Sequence, residues 1–250
     1  MDVKIIVAAH KKYEMPRCDC YLPVQVGAEG KDDIGFTPDN TGDNISDKNA
    51  AFCELTGLYW AWKNLKCDYL GLAHYRRHFK EKDGIMSDNT VKSLLKKTDI
   101  ILPKKRKYYI ENLYSHYVHT LHSEPLDATR EILAERYSEY LPEFDKLKKR
   151  TSAHMFNMYV MKKDISDKYC EWLFDILFRL EEQFKTAEYD AFHSRFYGRV
   201  SELLLDVYIN TNKLSYIEQP IMYTEKINWC KKITSFLKAK FLGKKYNKSF

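Results

Sequence analysis

Nothing in the 250 residues approaches a continuous apolar run of roughly 18 side chains, the length a bilayer-spanning helix needs. The opening run Met1-Asp-Val-Lys-Ile-Ile-Val-Ala-Ala-His10 is too short for a secretory signal and lacks its basic start, so the expected location is the cytoplasm. Glycine (9) and proline (7) are scarce, which excludes collagen-like and low-complexity chains, and no internal repeat is present. The six cysteines (18, 20, 53, 67, 170, 230) lack paired zinc-ligand spacing and are expected to be thiols or small core residues. Cys18-Asp-Cys20 is the one close pair, and without a second pair it is a weak metal signal. The absence of Gly-x-Gly-x-x-Gly and of a Walker lysine motif withdraws the dinucleotide and P-loop readings. A basic body is missing too. Seven lysines and no acid follow Asn228, leaving 34 basic against 35 acidic side chains before it, which argues against nucleic-acid binding.

What is present is aromatic and apolar: 19 Tyr, 13 Phe and 44% hydrophobic residues, enough core for one large domain or one domain with an appendage. A strand is expected over Lys4–Ala9, ending at His10-Lys11-Lys12-Tyr13, and a second over Tyr21–Val26. The Gly- and Asp-rich stretch Gly27–Asn44 reads as a long loop beside a binding edge. Asn44 or Ser46 can cap a helix from about Asp47 to Leu65, with Phe52, Leu55, Tyr59 and Trp62 on its apolar face. The aromatic pair Trp60 and Trp62 reads as packing rather than sugar stacking, and Glu54 has no evident place.

The stretch Asp68–Phe79 organises the rest. An apolar strand, Tyr69–Ala73, stops abruptly at His74, Arg76, Arg77 and His78, as a buried strand does where its carboxyl end opens onto a polar site. Four potentially cationic side chains in five residues repel one another unless an anion lies among them, and the planar guanidinium fork suits phosphate oxygens. A phosphate or diphosphate is the ligand this implies. Strand, loop, helix and strand in the first 75 residues point to parallel pairing through a helical crossover.

Downstream, a short helix is expected after Ser87 or Asp88, a strand at Asp99–Pro103, a solvated basic loop at Lys104–Lys107, and helices over Tyr108–His122 and Leu126–Tyr140. His116, His119 and His122 fall at spacings of three, but without carboxylate or cysteine company they make a weak metal set. Ala153–Met161 reads as one strand that Asn157 interrupts, a polar residue that faces a ligand or a turn. Asp164–Phe184 is a scaffold helix with Tyr169, Trp172, Leu173, Ile176 and Leu180 on one face. Gly198 precedes a last helix with Glu202 in its first turns, either a stabilising first-turn acid or a site carboxylate.

Taken together, His10-Lys-Lys-Tyr13, Tyr21-Leu-Pro-Val24, Gly42-Asp-Asn-Ile-Ser46, Asn49, Cys53-Glu-Leu-Thr56, Tyr59-Trp-Ala-Trp-Lys-Asn64, Gly71-Leu-Ala-His-Tyr-Arg-Arg77, Asn157-Met158 and Arg195-Phe-x-Gly-x-x-x-Glu202 resemble a bacterial polysaccharide glycosyltransferase family of capsule, exopolysaccharide and O-antigen synthesis, long filed as a domain of unknown function, with a GT-A galactofuranosyltransferase among its members. The likeness covers roughly residues 4–223. It implies an α/β fold, a GT-A-like (Rossmann-like) mixed sheet flanked by helices over residues 1–226, and an inverting transfer from a UDP-sugar, first guess galactofuranose, to a growing surface glycan. The resemblance assigns His10, Lys11, Tyr13, Asn44, Ser46, Asn49, His74, Arg76 and Arg77 to the donor, Asn157 and Met158 to the acceptor side, Glu202 to the catalytic base and Arg195 to its support. Many GT-A enzymes place a metal-binding Asp-x-Asp at the end of a central strand; here His74-Tyr-Arg76 stands there. A divalent manganese or magnesium is therefore not expected, with His74 the single candidate ligand and the arginines neutralising the diphosphate. The alternatives are a UDP-pyranose transferase and a non-catalytic nucleotide- or glycan-binding subunit.

Residues 227–250 form a basic tail in which Trp229, Ile233, Phe236, Leu237 and Phe241 share one helical face. Such a helix is expected to lie on an anionic membrane, placing the protein at the inner face of the plasma membrane near a polyprenyl-diphosphate-linked acceptor, or else to pack on the domain or on a partner chain.

Overall fold

The computed structural model describes residues 1–185 and 187–225, together with Thr234 and Lys240. In chain order the elements are β1 (Val3–Ala9), β2 (Tyr21–Gln25), β3 (Thr37–Pro38), a 3-10 turn (Ser46–Lys48), α1 (Asn49–Phe52), α2 (Leu55–Asn64), β4 (Tyr69–His74), β5 (Arg77–Glu81), β6 (Gly84–Ile85), α3 (Asp88–Leu95), β7 (Ile100–Pro103), β8 (Arg106–Lys107), α4 (Leu113–Thr120), α5 (Glu124–Arg136), α6 (Leu141–Lys149), β9 (Ser152–Ala153), β10 (Tyr159–Lys162), α7 (Lys163–Gln183), α8 (Phe196–Thr211), β11 (Ile217–Gln219) and β12 (Ile221–Tyr223). They fall into two compact units, the first comprising Met1–Lys104, Phe156–Trp172 and Leu214–Glu225, the second Lys105–Met155 and Leu173–Lys213. The proposed amphipathic face of the tail lies outside the described residues.

The first unit is built on a sheet of order β11-β7-β10-β4-β1-β2-β3. Every neighbouring pair on this path is parallel except the two that β10 makes, with β4 and with β7. Ile5, Ile6 and Val7 of β1 and Leu70, Leu72 and Ala73 of β4 are buried, as expected of parallel strands covered on both faces. Two glycines set close approaches. A Cβ on Gly71 would stand 2.8 Å from the Tyr159 carbonyl of β10, and one on Gly57 would stand 2.7 Å from Val26, so α2 packs tightly on the β2 end of the sheet.

The expected helix over residues 47–65 is in fact interrupted: a 3-10 turn, one short turn of α1, a break at Cys53, then α2. Asn49 spends its amide on the Cys53 carbonyl (2.7 Å) and the Thr56 hydroxyl (3.1 Å), holding the break closed. The interruption shifts the helical phase, so Leu55, Leu58, Trp60 and Ala61 are buried while Tyr59 and Trp62 are half-buried. Below the break lies Asp39, fully buried, which accepts from the Gly27 and Ala28 amides and from the Ser46 and Thr56 hydroxyls. Ser46 therefore does not cap a helix. Asn44 does not cap one either: its carboxamide oxygen closes an Asx turn, accepting from Ser46 N–H at 3.1 Å.

Chain after His78 does not leave the sheet. Tyr75 and Arg76 make a tight turn and the chain returns as β5, antiparallel to β4 and paired on its other side with β12. The single strand expected at 153–161 is likewise two pieces, β9 and β10, separated by Phe156 (φ 78°) and Asn157 (φ 55°).

In the second unit, α4 begins only at Leu113, where the Asn112 side chain accepts from Ser115 N–H at 2.7 Å. The region expected as one helix over 126–140 is α5 and a 3-10 turn (Ser138–Tyr140), and a further helix, α6, follows it; Pro142 occupies the first turn of α6, a position that suits its missing N–H. Gly198 lies inside α8 rather than before it.

Candidate functional site

The sheet has a topological switch point: chain leaving β1 goes to β2 on one side and later returns as β4 on the other. Open α/β sheets bind ligands in the crevice at the carboxyl ends of such strands. Here that crevice lies between the loop His10–Tyr13 and the turn His74–Arg77, which the register brings side by side, Ala8 pairing with His74. His10 and Tyr75 meet edge to face at 5.1 Å, and Lys11 Nζ lies 5.1 Å from the Tyr75 ring centre. Tyr13 stacks on His78 (6.1 Å, 25°) and meets Phe36 edge-on. This cluster offers aromatic faces of the kind a nucleobase stacks on.

The charge of the crevice differs from the count in the sequence. His78 is fully buried, and desolvation pushes its pKa down to about 4. His74 is pushed down too, by burial first, with Arg77 and Arg76 adding to it and Glu54 opposing. Two of the four expected cations are thus neutral imidazoles near pH 7. The positive charge at the strand end belongs to Arg76 and Arg77, both half-buried. Arg77 lies over the Phe156 ring at 4.4 Å and the Tyr223 ring at 5.6 Å, and Arg76 lies 5.5 Å from the Tyr75 ring. Lys11 pairs with Glu225 at 2.8 Å.

Among the other residues expected at the donor, Ser46 and Asn49 are committed to the Asp39 and Cys53 contacts that hold the loop, and Asn44 to its own turn. They shape the crevice edge rather than present free groups to it. Asn157 and Met158 are buried at the start of β10, level with the end of β4. The Asn157 amide donates to Glu54 Oε1 at 2.8 Å, and Glu54 Oε1 also lies 3.8 Å from His74 Nε2. Sequence reasoning left Glu54 without a place. The signal available was its place in the Cys53-Glu-Leu-Thr56 motif; the structure adds a break at Cys53 with φ 55° and ψ −130°, a backbone conformation that costs a non-glycine residue roughly 1–3 kcal/mol.

A hard divalent cation needs several oxygen ligands. The end of β4 offers one carboxylate, an imidazole whose Nε2 is engaged at 2.7 Å with the Phe156 carbonyl, and two guanidiniums that repel a cation. These residues do not fit a divalent metal. Elsewhere in the first unit Cys18, Cys20 and Asp88 converge, with the thiols 3.5 Å apart. Burial raises both thiols, Asp88 raises them further, and the Asp88 oxygens already accept the Asp19 and Cys20 amides.

In the second unit Glu202 is buried in α8, with the Arg199 guanidinium 3.8 Å away, one turn earlier; Arg195 ends the preceding 3-10 turn, with an exposed side chain. The histidine triad divides. His116 and His119 both direct Nδ1 at the buried Glu111 carboxylate (3.1 and 2.5 Å), while His122 stacks on Tyr189 and meets His193. Burial pushes His116 down to about 4. His154 and Asp206 form a fully buried pair that ties β9 to α8.

A mostly parallel sheet with one antiparallel strand beside its centre, helices around it and a strand-end crevice is a GT-A-like glycosyltransferase fold. The chain belongs to the family described as DUF4422, a domain of unknown function, whose model matches residues 4–213. It is similar to a solved structure titled "WbbM bifunctional glycosytransferase apo structure", with a TM-score of 0.83 and 31% identity over 90% of this chain and 46% of that one. It thus spans about half the length of that protein. No curated protein matches the chain. Among the described residues no helix is long and apolar enough to cross a membrane.

Proposed function

We propose that the chain is a glycosyltransferase that moves a sugar from a UDP-sugar to a growing bacterial surface polysaccharide. One observation carries the reading: the switch-point crevice joins an aromatic cluster, His10, Tyr13 and Tyr75, to the guanidiniums of Arg76 and Arg77. Aromatic faces suit a uracil, and a guanidinium pair suits the diphosphate that joins it to the sugar. The likeness to a bifunctional glycosyltransferase over 90% of this chain supports transfer over binding alone. Because the cationic groups are arginines, we take the reaction to be metal-free, with the arginines stabilising the UDP that leaves. Galactofuranose is the first choice of sugar, from family resemblance. Glu202 is the proposed base that deprotonates the acceptor hydroxyl in an inverting displacement, with a polyprenyl-diphosphate-linked glycan as acceptor and the basic tail as membrane contact.

The test is a donor screen with the purified full chain, read as UDP release. Slow hydrolysis of one UDP-sugar, accelerated by a glycan acceptor, is the expected result. Tight UDP binding without turnover of any donor would leave a binding module, and preference for UDP-galactose or UDP-glucose would assign a pyranose.

A further inference from the structure

Among the described residues four non-glycine positions have positive φ, and three of them, Cys53, Phe156 and Asn157, surround one carboxylate. The fourth, Lys213, follows the end of α8, where a left-handed residue is ordinary. Strained backbone persists only where surrounding contacts over-determine it, and it collects at functional sites. What this strain fixes is Glu54. Cys53 turns the chain so that Glu54 stands at the head of α2, and the Phe156-Asn157 turn delivers the Asn157 amide to its Oε1 at 2.8 Å. The same turn offers the Phe156 carbonyl to His74 Nε2 at 2.7 Å. A carbonyl can only accept, so His74 carries a proton on Nε2 and is held as a donor 3.8 Å from the carboxylate. The Glu54 side chain keeps 15% of its surface exposed, enough to reach a ligand.

A carboxylate accepts hydrogen bonds and donates none, so its partner in the crevice brings hydroxyl or amide protons. The guanidiniums of Arg76 and Arg77, on the turn that follows His74, take the opposite chemistry, phosphate oxygens. A hydroxyl-rich group joined to a diphosphate satisfies both. We propose that Glu54, held by Asn157 and by the His74–Phe156 contact, is the subsite that accepts hydrogen bonds from the hydroxyls of the donor sugar. This rests on the nucleotide-sugar reading above and adds the residue that distinguishes a sugar nucleotide from the bare nucleotide. The competing role for an acid at a helix head, favourable interaction with the α2 dipole, makes no such distinction.

Calorimetric titration of the full chain with UDP and, separately, with UDP-galactofuranose, UDP-galactose and UDP-glucose tests it, comparing wild type with Glu54→Gln. Wild type is expected to bind one of the sugar nucleotides more tightly than UDP. The variant is expected to bind UDP within about twofold of wild type and that sugar nucleotide at least about 10-fold more weakly, the scale of one charge-assisted hydrogen bond. Equal weakening of UDP and sugar nucleotide, or no weakening of either, overturns the subsite. Wild-type protein that binds UDP but gains nothing from any sugar also overturns it, leaving the nucleotide reading intact. Wild-type protein that binds none of the four overturns the nucleotide reading itself, and the subsite with it.

Discussion

Replacing Asp39 with asparagine measures how much one buried carboxylate contributes to the loop that borders the crevice. Oδ1 accepts from the Ala28 amide at 3.0 Å and the Ser46 hydroxyl at 2.5 Å, and Oδ2 from the Gly27 amide at 2.9 Å and the Thr56 hydroxyl at 2.6 Å. Asparagine keeps the shape but turns one oxygen into an NH2 group. A hydroxyl facing that group can rotate and accept; a backbone N–H cannot. Whichever way the amide is placed, either Gly27 or Ala28 loses its acceptor while buried, at about 1–3 kcal/mol, and the remaining bonds lose their charge assistance. A total of about 2–4 kcal/mol is a large part of the 5–15 kcal/mol or so that holds a typical domain folded. With roughly 2–4 °C of midpoint per kcal/mol in a chain of this size, the expected fall is on the order of 4–16 °C. Thermal unfolding followed by far-ultraviolet circular dichroism reads it directly. Ser46→Ala is expected to cost less, because it leaves both backbone amides on Asp39, although it removes the acceptor of Glu29 N–H at 3.1 Å. An Asp39→Asn midpoint within about 1 °C of wild type would refute the reasoning.

Four further outcomes are expected. Glu202→Gln should leave UDP binding nearly intact and lower turnover by roughly 100-fold or more, the scale of a lost general base, and unchanged turnover would remove Glu202 from the mechanism. Arg76→Ala should weaken UDP binding more than uridine binding, and activity should survive EDTA; complete loss in EDTA restored by manganese or magnesium would reverse the metal-free proposal. His78 has a folded pKa near 4, below the usual 6.5, so the unfolded chain binds more protons in that window. Stability is therefore complete above about 6.5 and declines as pH falls toward 4, a slope that should flatten in His78→Gln on a plot of melting midpoint against pH. A chain ending at Asn228 should lose salt-sensitive flotation with anionic liposomes while still hydrolysing donor, whereas a truncated chain that is unfolded, with no lipid binding in either form, would make the tail a packing element.

The parallel strands could be read from the sequence because both their faces are covered, and continuous apolar runs such as Ile5-Ile-Val-Ala-Ala9 and Tyr69-Leu-Gly-Leu-Ala73 record that without reference to the rest of the chain. The break at Cys53 was not legible, and the one at 156–157 showed only as a polar Asn157 within an apolar run. Cys53 and Phe156 are neither glycine nor proline, and what imposes their conformation is distant: Thr56 and Ser46 answer to Asp39, and Asn157 answers to Glu54 across 103 positions. The protonation of His74 and His78 was hidden for the same reason, since the sequence gives the groups and only packing gives their desolvation. Asn44, Ser46 and Asn49 were expected at the donor, and the structure commits them to the loop that frames it.

The altered protonation changes what the strand end can do. Four cations in five residues would be an indiscriminate anion trap, strongest for free phosphate and weakened sharply by salt. Two neutral imidazoles and two guanidiniums are more selective. On the proposed reading, the diphosphate of a bound sugar nucleotide brings roughly two negative charges, which the two arginines balance, and the third develops on UDP only as the glycosidic bond breaks. A group that meets charge formed during reaction contributes to rate rather than to ground-state affinity. The arginines meet the ground-state charge and also the charge that develops on the departing UDP, so removal of one should lower kcat as well as donor affinity. His74, neutral and with its Nε2 proton committed to the Phe156 carbonyl, adds nothing to that ground-state attraction.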